Sequence, residues 1–160
     1  MGMKALLRRL FTAGLRLNAA LTRSPSGRWL EERLLTPFFV RLTRAIRGPA
    51  RRPIEDTAEG LGREWERLLG DPRYARVTEI DPATETAYGE ITGRCPLRGT
   101  GDVAACHRLM AYDRGLLAPY DAQFVVLTSQ AEPGRTACRV AIRPQRLDAS
   151  DAGDTVRRGA

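Results

Sequence analysis

The sequence predicts an α+β fold: an antiparallel four-stranded sheet, in the order strand-strand-helix-strand-strand, packed by helices and preceded by a basic helical extension. Three observations predict it. Two pairs of short, apolar-alternating runs each straddle a turn signal, Asp81-Pro82 in the first and Pro133-Gly134 in the second. A single helix-like segment, about residues 102–117, separates the pairs. No regular strand–helix–strand alternation occurs, which argues against a parallel sheet.

The chain opens with "MGMKALLRRLFTAGLRLNAALTR", where Leu7, Leu10, Phe11, Gly14, Leu17 and Leu21 recur near one helical face. Lys4, Arg8, Arg9 and Arg16 lie mostly elsewhere, giving a basic amphipathic helix. Those arginines interrupt the apolar run too early for a secretory signal, and no stretch is long enough to span a bilayer. "SPSG" at 24–27 is expected to end this helix. A second helix is expected from Trp29 to Leu35, and Pro37 opens or kinks a third. Phe38, Phe39, Leu42 and Ile46 are its expected buried stripe. "RGPARRP" at 47–53 then reads as a linker.

From Ile54 the pattern is cleaner. Ala58, Leu61, Trp65, Leu68 and Leu69 share a helical face, and Gly70 followed by Asp71-Pro72 stops the helix. Trp65 is expected to be a core anchor. "ARVTEI" and "ETAYGEI" form the first strand pair; "QFVVLTSQ" and "TACRVAIRP" form the second. Asp102, or in competition Thr100, caps the helix between them. In the last strand Cys138, Val140 and Ile142 point to one side, Arg139 and Arg143 to the other. The domain plan is therefore residues 1–53 as extension, 54–144 as the α+β domain, and 145–160 as a polar tail expected to be disordered.

Charge divides the chain along the same boundary. Residues 1–53 hold twelve Lys and Arg against Glu31 and Glu32, a net +10, whereas residues 54–160 carry −3. A basic amphipathic segment of this kind suits an anionic membrane surface or an acidic partner protein, contacted through residues 1–46. Nucleic acid is not expected, because zinc-finger spacing, aromatic RNP patterns and a helix-turn-helix are all missing. Three cysteines make no even-numbered disulfide framework, which favours a reducing, cytoplasmic setting with the chain peripheral at the inner membrane face.

The chemistry-bearing residues gather in "GRCPLRGTGDVAACHRLM", residues 93–110. Cys95, Cys106, His107 and Cys138 are a donor set that zinc or iron would accept, although no CxxC knuckle is present and Cys106 and His107 diverge by about 100° on a helix. The alternative is that the cysteines pack as small core hydrophobes. Cys95, with His107 as base, is the candidate nucleophile, since Arg94 and the helix entrance favour its thiolate. Arg94, Arg98, Gly99, Thr100, Gly101 and Asp102 form a glycine-bearing entrance suited to a carboxylate or phosphate ligand, or simply a tight turn. It lacks the P-loop pattern. Asp113 and Arg114 read as residues that fix how the helix packs.

The segments "RCPL", "ACHRLMAYDRGLL" and "EPGRTACRVAIRP" resemble the C-terminal halves of aminothiazoline-carboxylate hydrolase-like proteins and of vinyl-reductase-type small-molecule-binding domains, over about residues 60–144. The resemblance implies an α+β ligand-binding fold with Cys95, Cys106 and Cys138 as recurring pocket cysteines. The arginine-rich helices lie outside it. The expected function is a small-molecule- or metal-binding sensory domain with a Cys-containing pocket and a basic helical tether. The alternatives are a Cys-dependent hydrolase of a small carboxylated, amide-like compound, and a membrane- or protein-docking adaptor.

Overall fold

The computed structural model describes residues 13, 14, 17, 20, 21, 25–48 and 54–145. Most of the expected first helix, most of the 47–53 linker and the tail lie outside these residues; positions 13, 14, 17, 20 and 21 are helical. The elements are α1 (Pro25–Leu30), a π turn (Glu31–Leu35), α2 (Thr36–Arg47), α3 (Ala58–Leu69), β1 (Ala75–Asp81), β2 (Thr86–Ile91), α4 (Val103–Leu109), α5 (Ala111–Leu117), a 3-10 turn (Ala118–Tyr120), β3 (Ala122–Thr128) and β4 (Cys138–Pro144).

The α+β fold is as the sequence predicts. The sheet is antiparallel throughout, in the order β1-β2-β4-β3, with Gly89 opposite Val140 and Phe124 opposite Ile142. Alternation sorts each strand. Ala87 and Ile91, Cys138, Val140 and Ile142, and Phe124 point into the core, while Arg139 stands in solvent. Helices cover that inner face, and the opposite face is open, carrying Val125, Leu127 and the Arg76–Glu90 ion pair at 3.5 Å.

Helix α3 forms where the sequence places it. Thr57 caps its start, with Oγ1 accepting from the Gly60 N–H at 3.1 Å, and Gly70 ends it in the left-handed region at φ 73°. It lies close to the sheet because two glycines make room. A Cβ on Gly89 would fall 2.8 Å from the Trp65 ring, and one on Gly62 would fall 3.0 Å from Val77. Trp65 is fully buried and, with Leu61, stands in the core cluster.

Two expectations about helices change. The segment 102–117 is two helices, with the backbone leaving helical geometry at Met110 (φ −72°, ψ 0°). The Arg114 guanidinium bonds the His107 carbonyl that the break frees. Near the N-terminus, α1 begins at Pro25 and continues through Pro37 into α2. A proline inside an α-helix clashes with the carbonyl four residues before it. Here the wider π turn, closed by the Thr36 N–H on the Glu31 carbonyl, accommodates the ring. Glu31 is buried there; desolvation raises its carboxyl pKa, and the Thr36 hydroxyl donates to its Oε1 at 2.8 Å.

The expected buried stripe of α2 is also corrected. Phe38, Phe39, Leu42 and Ile46 face outward, and the docked face is Val40, Thr43, Arg44 and Arg47. Val40 packs over Gly115, Thr43 Oγ1 meets the Tyr112 hydroxyl at 2.6 Å, and Arg44 bonds the Leu116 carbonyl at 3.1 Å. The Arg44 guanidinium also lies over the Tyr120 ring, 5.2 Å from its centroid. Buried Glu64 is paired to Arg67 (2.6 Å) and accepts from the Tyr120 hydroxyl (2.9 Å). Arg67 reaches on to the carbonyls of Arg47 and Gly48, fastening α2 to α3. Polar docking won over apolar burial because the body offers a glycine, carbonyls and hydroxyls at this face.

Candidate functional site

The three cysteines arrive from three places: Cys95 from the loop after β2, Cys106 from the middle of α4, and Cys138 from the first residue of β4. The organiser is Gln130, fully buried in the loop after β3. Its side-chain N–H2 donates to the carbonyls of Ile91 and Gly93, each at 2.9 Å. Its Oε1 accepts from the Cys95 N–H (3.3 Å) and from Arg98 Nε (2.8 Å). Its backbone N–H donates to Cys138 Sγ at 3.3 Å, and its carbonyl accepts from the Gly99 N–H at 2.8 Å. Every hydrogen-bonding position of this amide side chain is used, as a buried amide requires.

Cys106 and Cys138 are hydrogen-bonded to each other through their thiols, and both are fully buried. The bond from Cys138, with a second from Ser129, holds the Cys106 thiol below the usual thiol range despite burial. The same bond pushes Cys138 up, so Cys138 is the member that keeps its proton. Cys95 is half-buried at the rim, with Sγ accepting from the Leu97 N–H at 3.4 Å. Cys95 packs against the buried cluster that holds Cys106 and Cys138.

The electrostatics reverse one expectation. Burial pushes the Cys95 thiol up, outweighing the Leu97 bond and the Arg98 charge. The thiol drawn toward neutrality is Cys106. His107, one residue on, is exposed on the other side of α4, and among the described residues no group of three or more His, Cys, Asp and Glu is arranged to hold a metal. Cys95, Cys106, His107 and Cys138 are thus not gathered as one donor set for zinc or iron.

The glycine-bearing entrance is internally engaged. Gly99 and Gly101 take positive φ (68° and 74°), as the tight loop requires, and direct their N–H groups at the Gln130 and Ala131 carbonyls. Arg98 is held by Gln130 and by the Thr136 carbonyl at 2.7 Å, while Thr100 Oγ1 donates to the Leu97 carbonyl. Asp102 caps α4 by accepting from the Ala105 N–H at 2.9 Å, setting a carboxylate where an anion would bind. Arg94 is exposed.

Three participants were not singled out in the sequence: Gln130, Ser129 and the partnership of Trp65 with Asp113. Trp65 Nε1–H donates to Asp113 Oδ1 at 2.9 Å in the interior, tying α3 to α5. Burial there raises the Asp113 carboxyl to about 6. The available signal was "TSQA", polar residues following an apolar strand directly, where a solvated turn would not need an amide. Comparison with family models, curated proteins and solved structures gives no match for this chain.

Proposed function

We propose that the α+β domain is a thiol-based sensory domain that reacts with small disulfides or electrophiles at Cys95 and Cys106. The observation that carries this reading is the meeting of the three cysteines around Gln130: half-buried Cys95 bonds its Oε1, Cys138 Sγ takes its backbone N–H, and Cys106 lies in the same buried cluster. The resemblance over residues 60–144, which singles out the same three cysteines, is in keeping with it. In the reduced state the hydrogen bond with Cys138 favours the Cys106 thiolate, and Cys138 is the member that keeps its proton. A low-molecular-weight disulfide is attacked by Cys95, which loses its proton, forms a mixed disulfide and releases one thiolate. Cys106 then attacks the Cys95 sulfur, closing a Cys95–Cys106 disulfide and releasing the second thiolate. The protein loses two electrons and the small disulfide gains them.

The test treats the full chain with oxidised glutathione and follows intact mass and peptide maps. The expected product is an internal Cys95–Cys106 disulfide, and Cys106→Ser stops at a glutathione adduct on Cys95. A stable adduct on Cys95 in the parent protein, or an unreactive Cys95, overturns the reading. A second reading, a Cys-dependent hydrolase of a small carboxylated amide-like compound, is favoured by the lowering of the Cys106 thiol by its Cys138 and Ser129 partners. It requires turnover of a carboxylated thiazoline or amide that Cys106→Ser abolishes.

A further inference from the structure

We propose that the outward face of α1, the π turn and α2 is a docking surface for an anionic phospholipid bilayer, independent of the thiol centre. A helix fixed to a domain by one face normally turns polar residues outward. This one turns out Leu34, Phe38, Leu42 and Ile46, four residues apart in succession, with Phe39 beside them. Ile46 is 72% exposed, Phe38 56% and Leu34 54%, and Trp29 at 62% extends the apolar surface along α1. The hydrogen bonds of Thr43, Arg44 and Arg47 hold the opposite face against the body, so the stripe cannot roll inward without breaking them.

Chemistry selects the occupant. Arg33 and Arg41 border an open groove floored by Leu34, Leu35, Pro37 and Phe38, created where the π turn widens the helix ahead of Pro37. Guanidinium groups flanking aliphatic and aromatic side chains match the layering of a bilayer interface: phosphates beside the arginines, the glycerol and upper acyl region against the apolar floor. The charge agrees, since residues 1–53 carry a net +10 and draw this end of the chain to an anionic surface. Aromatic residues at the level of the headgroups complete the match through Trp29, Phe38 and Phe39. Among the described residues no helix is long and apolar enough to cross a membrane, so the helix lies in the interface plane.

The experiment is sedimentation of the full chain with vesicles of neutral phosphatidylcholine and with vesicles containing about one-third phosphatidylglycerol. Binding is expected to the anionic vesicles and to fall at least about tenfold in Phe38→Glu/Ile46→Glu. Arg33→Gln/Arg41→Gln is expected to reduce anionic binding several-fold while leaving circular dichroism unchanged. Both pairs are exposed, and the milder Ile46→Asn serves if the double glutamate variant misfolds. Three results overturn the proposal: no binding to anionic vesicles, binding that these variants leave intact, or a concentration-dependent dimer that Phe38→Glu dissolves without any vesicle binding. The last would assign the face to a second copy of the chain.

Discussion

Replacing Asp113 with asparagine should stabilise the protein above pH 6 and do so progressively less as the pH falls. Asp113 is buried among apolar groups with a single side-chain partner, the Trp65 indole N–H. Desolvation raises its carboxyl from 3.8 to about 6, outweighing the bonds that lower it. A carboxyl whose folded value is raised favours the protonated native state. Its contribution is therefore fully present below the unfolded value near 3.8 and is lost as the pH rises toward 6. At about 1.4 kcal/mol per pH unit, the displacement costs ~3 kcal/mol once the group is ionised. Asparagine keeps an oxygen for the Trp65 N–H and cannot ionise. Its added amide hydrogens bring an offset that does not vary with pH, so the slope is the readout. Urea unfolding at intervals from pH 4 to 7 should show the stability difference, variant minus parent, growing by ~2.5 kcal/mol across that window. Trp29→Phe leaves Trp65 as the lone indole, whose emission should titrate near pH 6 in the parent and stay flat in the variant. Parallel stability curves would refute the reasoning, because they would mean that Asp113 ionises no differently in the folded and unfolded chain.

Other sites give equally direct outcomes. Gln130→Leu removes four side-chain hydrogen bonds and orphans the Ile91 carbonyl in the interior; urea unfolding should register a loss of about 2–4 kcal/mol. In that variant Cys95 should also label faster with a maleimide, since its loop loses the amide that holds it. Gly89→Ala sets a methyl within 2.8 Å of a rigid indole and should lower stability by about 1–3 kcal/mol, whereas Gly14→Ala, with open space around it, should not. Arg67→Met cuts the bonds to Glu64, Arg47 and Gly48, so trypsin should cleave between α2 and α3 faster than in the parent. Unchanged cleavage would show that the remaining contacts of α2, including Arg47 on the Leu69 carbonyl, hold it without Arg67.

Local periodicity carried most of the fold. The two hairpins, the α3 stop at Gly70, and the inward row Cys138, Val140 and Ile142 follow from alternation and turn chemistry within a few residues, while the α3 start at Ala58 lies four residues beyond where the pattern begins. The convergence of Cys106 and Cys138 also follows, because a core-facing helix and a core-facing strand stripe meet when the helix packs on the sheet. Position in space was less legible. The α2 stripe looked buried because apolar spacing says which residues share a face, not which face the body accepts. The answer depended on Gly115, Tyr112 and Tyr120, some seventy residues away in sequence. The direction of the Cys95 shift was hidden for a related reason: a nearby arginine and helix end are visible in the sequence, but the desolvation that outweighs them is set by packing. Gln130 was only faintly marked by "TSQA", because its four partners lie about thirty-five residues earlier and local sequence does not say what a polar run after a strand bonds to.

The strand order also bears on how the chain is made. β2 lies beside β4, not β3, so the β1–β2 hairpin must wait for residues 138–144 before its inner edge is covered. At ribosomal speeds of about 5–20 residues per second, that wait lasts on the order of seconds, with a strand edge open throughout. Cys138 enters with β4, so the thiol pair cannot exist on a nascent chain until the sheet closes. Newly made protein would acquire its sulfur chemistry in the same step that gives it a finished core.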